Sequence, residues 1–191
     1  DHGRMSQGRF AIIALGKLGS REMTCASDLD LVLIYDHDKE HTESDGPRPL
    51  HGTQYYIRLA TRLVTALTVA TRRGRLYEID MRLRPSGSKG PVATHIQSFA
   101  DYQMQEAETW EHMALTRARC IAGDHSLVAD LNALTLNILT LTREEKKLRK
   151  DIADMRQLIL QKKGGLDPWD LKIVPGGLLD IEFIAQYLCL R

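Results

Sequence analysis

Apolar residues gather in short runs near the start of the chain and recur at helical spacing afterwards. Arg9-Phe10-Ala11-Ile12-Ile13-Ala14-Leu15 is an apolar run closed by Gly16, which predicts a buried strand. Gly16-Lys17-Leu18-Gly19-Ser20 then turns, and Ser20 is placed to cap a short helix containing Arg21 and Glu22. A second strand is predicted from Asp28 to Tyr35, through Leu31-Val32-Leu33-Ile34. His37 to His51 is charged and carries Gly46-Pro47-Arg48-Pro49, a loop pattern. From Gln54 to Arg73 the residues Ile57, Leu59, Ala60, Leu63, Val64, Leu67 and Ala70 predict an amphipathic helix, ended by Gly74. Arg75 to Arg84 reads as a third strand, stopped by Pro85-Ser86-Gly87.

Strand, short helix, strand, helix, strand describes a small sheet with helices on one face. From Ile96 onward the pattern is helical. Phe99, Tyr102, Ala107, Trp110, Met113, Ala114 and Leu115 suggest one helix or two, and Leu127–Leu139 and Glu144–Gln161 suggest two more. Gly164-Gly165-Leu166-Asp167-Pro168 interrupts, and a last helix is predicted from Gly176-Gly177 through Ile181-Glu182-Phe183-Ile184. The expected class is α+β: a sheet-bearing lobe over 1–95 and a helical lobe over 96–191. The first residue is not Met, and the last helical pattern is still apolar at Leu190. A fragment of a longer polypeptide is therefore expected.

Composition narrows the function classes. The 191 residues are 43% hydrophobic and 27% charged, ordinary for a soluble domain. No apolar run approaches the roughly 20 residues that span a bilayer. Cys25, Cys120 and Cys189 are far apart and odd in number, which fits free thiols in a reducing cytoplasm. The net charge of +1 gives no global attraction to nucleic acid. Locally the balance shifts: Arg72, Arg73, Arg75, Arg82, Arg84 and Lys89 surround only Glu78 and Asp80, a cluster suited to polyphosphate.

Candidate chemistry lies in Ser27-Asp28-Leu29-Asp30 and in Tyr77-Glu78-Ile79-Asp80. In a strand, positions i and i+2 share a face, so Asp28 and Asp30 project together. Two adjacent carboxylates repel unless a cation or a shared proton compensates. Mg²⁺ suits such a pair, because it takes few carboxylates and completes its shell with water and phosphate oxygens. Backbone N–H groups of the turn at Gly16, Lys17, Gly19 and Ser20 are candidates to cradle phosphates. Lys17, Arg82 and Arg84 are candidates to neutralise a leaving pyrophosphate. Asp80 would complete a two-metal site or act as base toward an attacking hydroxyl. A tyrosine acceptor, with a pKa of about 10 when free, would need that help. Each part alone has an ordinary reading as turn, cap or wet strand face. The combination is far more specific than its parts.

These residues resemble the nucleotidyltransferase superfamily of DNA polymerase beta type, and within it the bacterial glutamine synthetase adenylyltransferases. The likeness runs through Gly16–Glu22, Ser27–Leu31 and Tyr77–Gly87. It continues in Tyr102-Gln103, Glu106-Ala107, Thr109-Trp110-Glu111-His112, Ala114-Leu115, Arg117-Ala118-Arg119, Gly176-Gly177 and Asp180-Ile181-Glu182-Phe183. The resemblance implies a small nucleotidyltransferase lobe with a mixed sheet, followed by a helical lobe. It also implies ATP as substrate, with Mg²⁺ (or Mn²⁺ in its place) held by Asp28, Asp30 and Asp80, and nucleotide contacts from Gly16, Lys17, Gly19, Ser20, Ser27, Arg82 and Arg84. Such enzymes carry two related modules: one attaches AMP to a tyrosine of glutamine synthetase, the other removes it by phosphorolysis. Their balance answers to glutamine and the PII signalling protein. Trp110-Glu111-His112 and Asp180-Ile181-Glu182-Phe183 resemble the attaching module. The alternatives are the removing module, a tRNA or poly(A) nucleotidyltransferase, which the near-neutral charge disfavours, and a nucleotide-sensing regulatory module with a degenerate site. No nucleic-acid or membrane partner is expected.

Overall fold

The computed structural model describes residues 1–38, 40–72, 74–75, 77–163, 167 and 169–191. β1 (Arg9–Ala14) leads through α1 (Gly16–Gly19) into β2 (Leu29–Asp36). These two strands pair antiparallel from Arg9↔Asp36 to Ala14↔Leu31. After α2 (Gly52–Thr68), two short strands pair parallel with the free edge of β2. β3 (Ile79–Asp80) lies beside Leu29 and Asp30, and β4 (Ala93–His95) lies beside Leu33 to Tyr35. α3 (Ile96–Gln105) and α4 (Thr109–Leu115) follow, and β5 (Arg119–Gly123) then closes antiparallel on the outer edge of β1. α5 (His125–Leu139), α6 (Glu145–Lys163) and α7 (Leu178–Leu190) complete the chain. The sheet is mixed and five-stranded, and the class is α+β.

Helices cover both faces of the sheet, not one. Leu31 to Tyr35 is apolar without alternation, so a sheet built on it needs cover on both sides. Ala11, Ile13, Leu15, Val32 and Ile34 pack against Phe99, Leu115, Leu127, Leu131 and Ile138 from α3, α4 and α5. On the opposite face Leu33 and Tyr35 meet Tyr56 and Ala60 of α2, with Ala93 and Met5. A third cluster joins Met113 of α4 to Leu148 and Ile152 of α6 and Leu190 of α7.

Several elements differ from the sequence reading. The short helix precedes Ser20, which closes α1 as its C-cap and does not start a helix through Arg21 and Glu22, and β4 and β5 were not anticipated. The third strand shrinks to Ile79–Asp80 because local bonds replace its ladder. The Asp80 carboxylate accepts the Arg82 N–H at 2.8 Å, and turns follow at Arg84→Met81 and Gly87→Arg84. α2 stops at Thr68, where Val69 turns extended. The hydroxyls of Thr61, Thr65 and Thr68 bond carbonyls four residues back along its last turns. Trp169 is 82% exposed. Arg73, Leu76, Gly164, Gly165, Leu166 and Pro168, used above in the helix end, the third strand and the chain break, lie outside the described residues. Cys25, Cys120 and Cys189 are all free thiols. Among the described residues no helix is long and apolar enough to cross a membrane.

Candidate active site

A single helical turn cannot hold its own shape, since one turn fixes several dihedrals for very little hydrogen bonding. α1 is such a turn, and its geometry is imposed by neighbours. Leu15 N–H bonds the Asp30 carbonyl at 2.9 Å, tying the start of the turn to β2. Gly16 has φ +52°, and a Cβ there would overlap the Asp30 carboxylate. Glycine is required at this position for both reasons. At the other end, a Cβ on Gly19 would run into the Arg117 carbonyl. Arg119 donates to the carbonyls of Leu18 at 2.7 Å and Gly19 at 2.9 Å. Ser20 donates to the Gly16 carbonyl at 3.1 Å and to Glu22 at 2.8 Å, and its oxygen receives Arg117 at 2.7 Å.

The acids meet at the adjoining end of the sheet. Asp30 and Asp80 are register partners on the parallel strands β2 and β3. Asp28 sits just ahead of β2, exposed, and its charge acts on Asp30 together with that of Asp80. Burial first, then Asp80, then Asp28, push the Asp30 carboxyl above the usual carboxylate range. Asp80 goes the other way. Its hydrogen bonds with the Arg82 guanidinium hold it below that range, with Nε at 3.0 and 2.8 Å from its two oxygens.

Among the described residues no three His, Cys, Asp or Glu side chains stand close enough to enclose a metal as they are. Asp80 is turned to Arg82 instead, so the guanidinium supplies the positive charge on that side. The residues nonetheless suit a divalent cation. Asp30 is half-buried and draws no hydrogen-bond donor from the described residues, while burial and two further carboxylates outweigh the opposing charges of Arg82 and Arg117. Such a group needs a counter-charge, and an oxygen-only donor set is what Mg²⁺ or Mn²⁺ prefers.

The other residues singled out above have different surroundings. Ser27 is buried, and its hydroxyl is tied to Thr24 at 3.0 Å (N–H) and 2.9 Å (hydroxyl). Arg84 donates to the carbonyls of Met81 at 2.8 Å, Ser88 at 3.2 Å and Gly90 at 3.2 Å, which braces the loop after β3. Arg82 is exposed beside Asp80. Lys17 lines a cleft of about 520 Å³ between α1 and α7, with Arg117, Ile181 and Glu182. A second cleft, of about 320 Å³, opens at Asp28 between Ser27, Arg75 and Tyr77.

Nothing in the sequence assigned a role to Arg117 or Arg119. Arg117 bonds Ser20 and Glu22 of the turn and pairs with Glu182 of α7 at 3.3 Å. The alternation Arg117-Ala118-Arg119 entering a strand is the only local signal, and it says nothing of a partner almost 100 residues away. Asp180 accepts the Gly176 N–H at 2.5 Å and pairs with Arg156. Glu111 is buried, accepting from Tyr102 and from the Glu108 N–H at 2.9 Å each.

Comparison with known proteins identifies the family. Residues 1–134 match the family model for glutamate-ammonia ligase adenylyltransferase. The chain is 58% identical over 189 residues to the bifunctional glutamine synthetase adenylyltransferase/adenylyl-removing enzyme of Rhizobium meliloti (strain 1021), covering 99% of this chain and 19% of that protein. Proteins of the same name from Brucella suis biovar 1 (strain 1330) and Bradyrhizobium diazoefficiens (strain JCM 10833) are 55% and 54% identical. They cover 99% and 98% of this chain and 19% of each relative. The chain thus spans about a fifth of the length of these relatives. On residues, fold and likeness together, the chain belongs to the glutamate-ammonia ligase adenylyltransferase family.

Proposed function

We propose that this chain is the adenylyl-transferring module of a larger cytoplasmic enzyme, moving AMP from ATP to a tyrosine hydroxyl of glutamine synthetase. One observation carries the reading. Asp30 and Asp80 are partners across β2 and β3, and the Asp30 carboxylate lies over Gly16 of the turn. Acids and phosphate-sized backbone donors therefore share one spot. In this reading residues 1–95 carry the chemistry and residues 96–191 support it.

Asp28 and Asp30, with Asp80 when it is released by Arg82, would hold Mg²⁺. Bound there, the ion makes the α-phosphorus more electrophilic and screens the phosphate charge. The turn would offer the phosphates the backbone N–H groups of Gly16, Lys17 and Leu18, since those of Gly19 and Ser20 are spent on the Leu15 and Gly16 carbonyls, and Lys17 adds charge from the edge of the 520 Å³ cleft. Arg82 reaches the leaving pyrophosphate, while Ser27 and Arg84 act through the loops they brace. The tyrosine oxygen forms its bond to the α-phosphorus as the bond to the pyrophosphate oxygen breaks. Asp80, once Arg82 turns from it to the pyrophosphate, would take the phenol proton or add a third carboxylate to the ion. Control by glutamine and PII would come through the longer polypeptide.

Incubating the chain with α-labelled ATP, Mg²⁺ and glutamine synthetase should label a tyrosine. The relatives' printed name also includes adenylyl removal, so the same preparation should be given modified glutamine synthetase and phosphate. Release of ADP with no forward labelling would assign the removing reaction instead.

A further inference from the structure

Two motifs far apart in the chain, Arg117-Ala118-Arg119 and Asp180-Ile181-Glu182-Phe183, have no part in the chemistry described above. They meet at the α1 turn. Arg117 uses its whole guanidinium: Nε and one terminal nitrogen reach the Ser20 hydroxyl at 3.2 and 2.7 Å, that same nitrogen pairs with Glu22, and the other faces Glu182 at 3.3 Å. Its side chain is only 17% exposed. Two residues on, Arg119 fills two carbonyls at the end of the same turn.

We propose that Arg117, held from behind by Glu182, is a positioning residue that sets the α1 turn against Asp30, and so tunes how tightly the nucleotide's phosphates are bound. The inference rests on the function proposed above. Three features argue for it. The turn has no side-chain N-cap and no basis for standing alone. Backbone N–H groups bind phosphate well only when held within a fraction of an ångström. A planar fork can hold Ser20, Glu22 and Glu182 together, whereas an ammonium on a flexible stem cannot. Because all its nitrogens are engaged, Arg117 acts through the turn and not on substrate.

The test measures Mg²⁺-dependent binding of the non-hydrolysable α,β-methylene analogue of ATP by calorimetry, and ATP KM and kcat in the labelling assay. Wild type is compared with Arg117→Lys, Glu182→Gln and the double variant. Misplacing a preformed cradle should raise Kd and KM about tenfold in Arg117→Lys, with kcat changed less than about threefold, since binding common to ground and transition states is lost. Glu182→Gln should follow in the same direction by about threefold, and the double variant should fall short of the product because both act through one guanidinium. Unchanged Kd in both single variants overturns the proposal, even with a lower melting temperature, because that is what a purely structural brace would do. If Arg117→Lys fails to fold, Glu182→Gln decides, its carboxylate being 37% exposed on α7. Wild type that binds the analogue but labels nothing refutes the proposed function while the Kd values still judge Arg117. Wild type that does not bind it refutes both.

Discussion

Asp30→Asn should stabilise the metal-free chain while disabling it. Asp30 is half-buried, without a hydrogen-bond donor among the described residues, and faces Asp80 across adjacent strands. Two unit charges about 6 Å apart at an effective dielectric near 20 repel by about 3 kcal/mol. Arg82 neutralises much of the Asp80 charge and solvent reaches Asp30, so about 1 kcal/mol survives. For a chain of 191 residues that is a rise in melting temperature of about 2–4 °C. The pH sign follows from the raised Asp30 carboxyl. The folded chain binds that proton more tightly than the unfolded one, so this site's contribution to stability declines as pH climbs from the usual value, about 3.9, through the raised one, and stays low above it. The advantage of the Asn variant should therefore be largest near pH 7 and fade in acid. Mg²⁺ should reverse the ranking. At a hundred times its Kd an ion stabilises by about 2.7 kcal/mol, so wild type should gain about 5–11 °C and Asp30→Asn much less. Differential scanning fluorimetry in EDTA and in Mg²⁺, at pH 4.5 and 7, measures all four states. A lower melting temperature for Asp30→Asn in EDTA, or equal gains from Mg²⁺ in both proteins, would refute the reasoning.

Asp80→Asn keeps the side chain's shape but removes its charge; AMP transfer should fall about a hundredfold or more with circular dichroism unchanged, and near-normal turnover would count against a role in the chemistry. Gly16→Ala places a Cβ where the Asp30 carboxylate lies and imposes a left-handed residue. The backbone alone should cost about 1–2 kcal/mol, and calorimetry should show loss of Mg²⁺-dependent nucleotide binding. Phe99→Ala, at a residue 1% exposed between the sheet and α3, should cost about 3–5 kcal/mol in urea unfolding.

Local pattern made part of this fold legible. The apolar runs of β1 and β2 and the 3.6-residue periods of α5 and α6 stand within one or two residues of where they were read, while α2 starts two residues before its reading and ends five residues short of it. β4 and β5 were invisible for a physical reason. β4 is three residues long and exists because Ala93 to His95 extends the edge of β2, a partner more than fifty residues earlier. β5 has mixed polarity and is mostly exposed beyond Cys120, so neither alternation nor an apolar run marks it. What defines both strands is a non-local pairing, and no window of sequence contains it.

The same distinction divides the site. A period of two suggested that Asp28 and Asp30 share a face; Asp28 lies just ahead of β2, and its charge acts on Asp30. Asp80 was suggested by its neighbours, but its place beside Asp30 is a register between parallel strands fifty residues apart. Arg82 and Arg84 looked equivalent by alternation. Folding separated them: Arg82 turned to Asp80, and Arg84 was spent on three carbonyls of a loop that the shortened strand made necessary. Arg117 was the hardest to see, because an arginine's role is written in its partners, and those come from the first turn and the last helix. A charged pair in sequence can therefore suggest a chemistry before the fold is known, whereas the residues that would aim it become visible only once distant segments are brought together.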